Sequence, residues 1–184
     1  MRRLFDFRDV PRDKRALILA CMLFWSVLSY LFISHYAIIG AEVSGDSMLP
    51  TLEDGDRFII NRLLYRFRDP RPGEIVALQL PGDEDLSVKR IIALPGDVIR
   101  VQAGRVQING KPLAEPYLPA DVRTTGRALR DGAFSVADNC FFVLGDNRSI
   151  SEDSRSFGAV PRDWLVGRVS VGIAATRGHA PSGG

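Results

Sequence analysis

A serine on a potentially stiff loop is the first candidate for chemistry. Ser47 lies in the segment SGDSMLPTL at residues 44–52, between Gly45, which permits unusual backbone angles, and Pro50, which fixes its own φ. A hydroxyl presented in this way could act as a nucleophile if a base removed its proton. Gly-Asp-Ser is also common in ordinary turns, so this segment alone leaves both interpretations open.

Histidine is poorly placed to serve as that base. The chain has two histidines: His35 lies at the end of an apolar run, and His179 lies close to the C-terminus. A Ser-His-Asp triad needs an imidazole held rigidly against the serine, which neither position favours. The same placement argues against a metal site built on His or Cys. We therefore expect no metal site of this kind.

Lysine is the alternative base, and only three of the 24 basic residues are lysines. Lys14 precedes the apolar run and Lys111 follows an Asn-Gly turn, whereas Lys89 lies in the strand-like segment VKRIIAL at residues 88–94. A desolvated lysine can be neutral near pH 7, unlike its neighbour Arg90. Strand alternation places one of the two cations among apolar neighbours. The alternative, an exposed edge strand that carries both cations, is simpler from periodicity alone.

A polar loop follows the apolar segment FFVL and reads GDNRSISEDSR at residues 145–155. Asp146, Arg148, Asp153 and Arg155 stand at alternating positions, and such pairs can interlock through bidentate hydrogen bonds. A calcium loop is a competing interpretation, although Arg148 and Ile150 stand where oxygen ligands are needed. An ordinary solvated loop is the third.

The element that would position these residues at a membrane is an apolar run without charge at residues 16–33, which continues more weakly to residue 39. A helix of about 20 residues matches a hydrocarbon core of ~30 Å. We predict a transmembrane helix at residues 16–39. A cleavable signal peptide is the first alternative, but its apolar core is shorter, usually ~7–15 residues, and it is followed by a small-x-small site. The run in this chain is longer, and no convincing site of that kind follows it directly. A buried globular helix would show a polar face.

The charges that flank this run predict its orientation. Six basic residues precede residue 16, and the next one is Arg57. The positive-inside rule then makes residues 1–15 a cytoplasmic tail and places the body on the other side of the bilayer. After residue 15 the basic and acidic residues are almost equal in number, which gives no support for nucleic-acid binding.

The body, residues 40–175, has the pattern of a mainly β fold. Short runs rich in β-branched residues alternate with Pro, Gly and Asn-Gly turn signals. We predict strands at residues 57–61, 74–80, 88–94, 98–102, 105–108, 140–144 and 165–173. Residues 112–131 are predicted to form an insert or long connection, and residues 176–184 a disordered tail.

In combination these segments resemble bacterial type I signal peptidases, also called leader peptidases. GDSMLPTL at residues 45–52 matches the nucleophile motif of that family, and VKRIIALPGD at residues 88–97 matches its general-base motif. GDRFIINR at residues 55–62 with RPGEIV at residues 71–76, and GDNR at residues 145–148 with the later S-DSR, resemble two further motifs. Four motifs in the right order are far more specific than any one of them.

The resemblance implies a role for each matched residue. Ser47 would be the nucleophile and its backbone N–H an oxyanion donor, with Lys89 as general base. Ser151 would hydrogen-bond and orient the lysine amine. Asp146, Arg148, Asp153 and Arg155 would brace the site. Some members add a serine hydroxyl two residues before the nucleophile, where this chain has Gly45.

The implied function is a membrane-bound serine endopeptidase that removes signal peptides with small residues before the cleavage site, and this mechanism requires no metal and no cofactor. It would lie in the bacterial cytoplasmic membrane with its catalytic domain outside the cytoplasm. A specialised maturation peptidase for one secreted or pilus substrate is one alternative. An inactive, membrane-tethered binding module is another, and retention of both Ser47 and Lys89 argues against it.

Overall fold

A computed structural model describes residues 11–126 and 132–171, apart from the side chains of residues 12, 13, 34–36 and 171. Most of the predicted cytoplasmic tail and all of the predicted C-terminal tail therefore lie outside the described residues. The chain divides into two compact units between Ile38 and Ile39.

The described part of the first unit contains one helix, α1, at Arg12–Ala37. Its 26 residues give a length of about 39 Å. Every side chain from residue 16 to residue 33 is exposed, although most of them are apolar. The segment Lys14–Ile33 is long and apolar enough to cross a membrane. The predicted helix end is two residues too late, because Ile38 and Ile39 begin a strand, for which β-branched residues are well suited.

The second unit is mainly β, as predicted. Its strands are β1 (Ile38–Glu42), β2 (Arg57–Asn61), β3 (Ile75–Leu78), β4 (Ser87–Ala93), β5 (Val98–Gln102), β6 (Arg105–Ile108), β7 (Lys111–Pro112), β8 (Ala133–Ser135), β9 (Cys140–Leu144), β10 (Val160–Pro161) and β11 (Leu165–Val171). Two four-residue helices, α2 (Leu64–Phe67) and α3 (Ser154–Phe157), and a 3₁₀ turn at Arg162–Trp164 complete the described elements.

The strands form two sheets within the described residues. The larger has the order β1-β2-β11-β3-β4-β9-β10, and the smaller has the order β7-β6-β5-β8. The pairings from β2 through β11, β3, β4 and β9 to β10 are antiparallel. Strand β4 lies between β3 and β9, so both of its edges are hydrogen-bonded. Four strands, β1, β7, β8 and β10, were not predicted, and three of them have only two or three residues.

Both faces of the larger sheet are covered by apolar side chains. Alternation along β3 sends Ala77 into one cluster, with Val43, Met48, Leu52, Phe58, Ile60 and Val169. Val76 and Leu78 join a second cluster with Ile91, Phe141, Val143 and Val160. A third cluster joins the end of this sheet to the smaller one, through Ile92, Ala93, Ile99, Val106, Val136, Phe142 and Leu144. The first cluster matters most for the site, because it includes residues on either side of Ser47.

Candidate active site

The loop that carries Ser47 is fixed at several points. Gly45 has φ +91°, a conformation that side chains disfavour, and its N–H donates to Asp54 Oδ1 at 2.7 Å. Met48, directly after the serine, is 1% exposed, and Leu52 is fully buried. Burial of such side chains stabilises by roughly 1.5–3 kcal/mol each. The loop is therefore anchored in the sheet cluster while Ser47 itself stays partly accessible.

Lys89 approaches Ser47 from strand β4. Its amine Nζ lies 3.2 Å from Ser47 Oγ, within hydrogen-bonding distance, and the residue is 5% exposed. Burial lowers the pKa of the Lys89 amine below its ordinary value, while the carboxylates of Asp153 and Glu152 oppose that shift without reversing it. The arrangement can transfer a proton from the hydroxyl to a neutral amine.

The exposed-edge interpretation of the Lys89 segment is wrong. Strand β4 is paired on both sides, and Arg90 is 8% exposed, so both adjacent cations are buried. Sequence alternation had required only one of them to lie among apolar neighbours. Arg90 is a site residue that sequence reasoning missed, although its place next to Lys89 in a buried strand was a usable signal.

Asp146 pairs with Arg90. The Arg90 guanidinium donates from Nε to Asp146 Oδ1 at 2.8 Å and from Nη2 to Oδ2 at 2.5 Å. The Thr51 hydroxyl, four residues after Ser47, donates to the same Oδ2 at 2.5 Å. One buried carboxylate thus joins the Lys89 strand, the Ser47 loop and the loop at residues 145–155.

The loop at residues 145–155 contacts the Ser47 loop directly. Asn147 donates from its backbone N–H to Ser47 O at 3.1 Å and from Nδ2 to Asp46 O at 3.1 Å. Gly145 packs so closely that a Cβ there would lie 2.5 Å from Ser47 O and 2.1 Å from Ser151 Oγ. Only glycine allows this approach without movement of the chain.

Asp153 and Arg155 interlock as expected. The Arg155 side chain donates from Nε to Asp153 Oδ1 and from Nη2 to Oδ2, both at 2.8 Å. Asp153 Oδ2 also accepts from the Gly145 N–H at 3.0 Å. Arg155 donates to Arg148 O at 2.6 Å and to Ser151 O at 3.2 Å, so it ties the ends of the loop together.

The side chains of Asp146 and Arg148, the other alternating residues, do not bond to each other in the described structure. Arg148 donates instead to Glu115 Oε1 at 2.5 Å and to Gly145 O at 3.0 Å, since the carboxylate of Asp146 is bound to Arg90. The carboxylates of both aspartates in this loop are thus bound by arginine guanidinium groups and are not available as calcium ligands, which argues against the calcium-loop interpretation. Within residues 11–126 and 132–171 no three His, Cys, Asp or Glu residues are grouped as metal ligands.

Ser151 lies beside the dyad without the predicted hydrogen bond. Its Oγ is buried against Gly145 and has no hydrogen-bond partner in the described part of the chain. The Lys89 amine is directed to Ser47 Oγ instead. A role of Ser151 in orienting the lysine stays a prediction.

The predicted oxyanion donor is the backbone N–H of Ser47. Among the described residues, the Ser47 N–H donates to no acceptor, so it is available to donate a hydrogen bond to an oxygen that becomes negatively charged. Gly45 offers no side-chain donor, and Ser44 is exposed. A cleft of about 330 Å³ borders the same loop and is lined by Leu49, Pro50, Pro119, Val122, Arg123 and the loop residues 146–149.

Residues 15–173 match the family model described as signal peptidase, peptidase S26. The chain is similar to a probable signal peptidase I-2 of Synechocystis sp., with 39% identity over 89% of this chain and 76% of that protein. It is also 38% identical to signal peptidase I of Bacillus amyloliquefaciens, over 77% and 75% of the two chains. A crystal structure of a signal peptidase I from Enterococcus faecalis V583 matches with a TM-score of 0.48 and 29% identity, over 56% of this chain and 98% of that one.

Proposed function

Because the chain belongs to the signal peptidase family, peptidase S26, we propose that it removes signal peptides from exported preproteins by means of a Ser47–Lys89 dyad. The observation that carries the proposal is the 3.2 Å approach of the buried Lys89 amine to Ser47 Oγ. Family membership makes the chain a serine endopeptidase, and this pair supplies both a nucleophile and a base.

The chemistry is acyl transfer in two steps. Neutral Lys89 takes the Ser47 proton as Oγ attacks the scissile carbonyl, and the Ser47 N–H stabilises the negative charge on the carbonyl oxygen. The ammonium of Lys89 then gives its proton to the leaving amine, and an acyl-enzyme forms. Lys89 next takes a proton from a water molecule as the water oxygen attacks the ester, and it then returns that proton to Ser47 Oγ as the signal peptide leaves with a free carboxylate.

Burial explains why lysine can act near neutral pH. An ordinary lysine is almost fully protonated there, since its pKa is about 10.4. Desolvation lowers the pKa of Lys89 and so raises the fraction that can accept a proton. Asp153 and Glu152 limit this effect, and the first of these carboxylates is itself bound by Arg155.

Helix α1 supports attachment of the enzyme to the bilayer. Its exposed apolar surface has the length of a membrane span, and β1 begins at the residue that follows it. We infer a cytoplasmic N-terminus and an extracytoplasmic catalytic unit, from the basic residues that precede the helix. Protease added to intact spheroplasts should therefore digest the catalytic unit, and its complete protection would contradict this topology.

The substrate would be an extended peptide that lies along a strand edge, with small side chains before the scissile bond. The cleft beside Leu49 and Asn147 borders the nucleophile loop and offers space for part of that peptide. General and specialised peptidases would share this chemistry, and they differ in how many preproteins they cut.

The test is cleavage of a preprotein with an Ala-x-Ala site, in detergent, by wild type, Ser47→Ala and Lys89→Ala. We expect wild type to cut directly after that site, as read from the N-terminal sequence of the product, and both folded variants to be inactive. Full activity of Lys89→Ala would refute the assigned base. Failure of wild type on a panel of preproteins would favour a specialised or inactive protein.

A further inference from the structure

The connection at residues 113–126 supplies side chains to the arginines around the dyad. It has no regular helix or strand, yet the centroid of the Tyr117 ring lies 3.9 Å from the Cζ atom of Arg90. That distance is typical of a guanidinium stacked on an aromatic face. The Tyr117 hydroxyl donates to Glu115 Oε1 at 3.0 Å.

Glu115 links the connection to the loop at residues 145–155. It accepts from Arg148 Nη2 at 2.5 Å, and Arg148 Nη1 donates to Thr124 Oγ1 at 2.5 Å. Thr125 O accepts from Arg155 at 2.9 Å. All three buried arginines of the site are therefore held partly by this one connection.

We propose that the connection, through Tyr117 and Glu115, positions Lys89 against Ser47 by fixing Arg90 and Arg148. The inference rests on the proposed function and assigns positioning residues to it. Neither Tyr117 nor Glu115 forms a described hydrogen bond with Ser47 or Lys89, whereas both contact the arginines, so we assign their effect to the arginines.

Arg90 is the point at which the connection acts. It follows Lys89 in β4, and its guanidinium is bound in its own plane by Asp146. The Tyr117 ring covers the face of that plane, and Gly73 O accepts from Nη1 at 2.8 Å. Asp146 holds the edge of the Arg90 guanidinium, and the Tyr117 ring holds its face. Because Arg90 is the next residue after Lys89, we expect these contacts to limit movement of the backbone at Lys89. Loss of the ring removes the restraint on the face alone.

Tyr65 provides a matched control in another part of the fold. Its hydroxyl donates to Glu74 Oε2 at 3.1 Å, and Arg68 Cζ lies 5.7 Å from its ring. This tyrosine, glutamate and arginine repeat the chemistry of the connection, and they form no described hydrogen bond with Ser47, Lys89 or residues 145–155. Tyr65→Leu therefore removes a similar set of side-chain contacts while it leaves the described hydrogen bonds of Lys89 and Arg90 in place.

The experiment compares full-length wild type, Tyr117→Leu, Tyr117→Phe and Tyr65→Leu in detergent. One readout is kcat and KM for the Ala-x-Ala preprotein, and a second is the thermal unfolding midpoint. The third is the pKa of Lys89, from the pH titration of its signals in protein with ¹³C,¹⁵N-labelled lysine. Only three lysines are present, so their signals can be assigned by substitution.

We expect Tyr117→Leu to lower kcat by roughly tenfold or more with KM changed less than about twofold, because small misplacements at a reacting pair are costly. Its Lys89 pKa should rise towards the ordinary value as the amine gains solvent. Tyr117→Phe keeps the ring over Arg90, so its kcat and its Lys89 pKa should both be close to those of wild type. Tyr65→Leu should lower only the unfolding midpoint.

Equal kcat losses in folded Tyr117→Leu and Tyr65→Leu, or a wild-type Lys89 pKa in Tyr117→Leu, would overturn the inference. The lysine titration needs no proteolysis, so it separates this inference from the proposed function. If wild type cut no preprotein while the Lys89 pKa still rose in Tyr117→Leu, the positioning role would stand and the function would fall.

Discussion

Gly145→Ala is a sharp test of how the two catalytic loops are held together. A Cβ at this position would lie 2.5 Å from Ser47 O, 2.4 Å from Ser151 Cβ and 2.1 Å from Ser151 Oγ. Two of these atoms belong to the backbone or to the first side-chain carbon, so no flexible side-chain end can move away. The loops themselves must separate.

The required movement sets the size of the effect. Ordinary van der Waals contact begins at about 3.5 Å, so the Ser47 carbonyl must move by roughly 1 Å. A misplacement of that size at a reacting centre costs about 10²-fold in rate. Insertion of one carbon into a closely packed site also destabilises by about 1–3 kcal/mol. We expect the folded variant to lose about 10²-fold in kcat/KM.

The assay is kcat/KM for an Ala-x-Ala preprotein, corrected for the folded fraction from thermal unfolding. Gly167→Ala is the matched control, because its Cβ would also lie 2.5 Å from a backbone carbonyl, that of Asn61 in the sheet. It should be destabilised with kcat/KM per folded molecule near wild type. A folded Gly145→Ala with wild-type kcat/KM, or an equal loss in both variants, would refute the reasoning.

Two further substitutions test the energetics of the buried charges. The pKa of Lys89 is lower in the native protein than in the unfolded chain. At pH values between these two pKa values the unfolded chain binds more protons than the native one, so the free energy of unfolding of wild type rises with pH. Lys89→Met should therefore exceed wild type in stability by more at pH 7 than at pH 9.5 in urea unfolding, and parallel pH dependences would contradict this. Asp146→Asn leaves the buried Arg90 without its carboxylate and should destabilise by about 3–5 kcal/mol in the same assay. Glu42→Gln, in an exposed pair, should cost less than about 1 kcal/mol, and similar losses in the two variants would count against a buried network.

Ser47 and Lys89 could be singled out because each lies in a short local motif, whereas their pairing as a dyad followed from the family resemblance. Gly45, Ser47 and Met48 lie in one short loop, and Lys89 lies in the strand-like segment at residues 88–94, which forms a central strand. The mainly β body followed from the same alternation of β-branched runs and turn residues. Strands such as β7 and β10 were missed, because two residues are too few to give a period.

The partners of the charged residues could not be predicted from sequence spacing. Asp146 and Arg148 are two residues apart and suggested a local pair, but Arg90 reaches Asp146 from 56 residues away in the sequence. Tyr117 and Glu115 lie in a segment whose composition indicated only a connection. Their roles depend on where the folded chain places that connection, which a periodicity argument does not specify.

The most direct test of the central claim compares the pH dependence of kcat/KM with the titration of Lys89 in the same detergent-solubilised enzyme. If burial makes Lys89 the base for Ser47, activity should fall as the pH decreases, with a midpoint equal to the Lys89 pKa and well below the ordinary lysine value. A flat profile down to pH 5, or a Lys89 that titrates at the ordinary value while activity persists at neutral pH, would contradict the account.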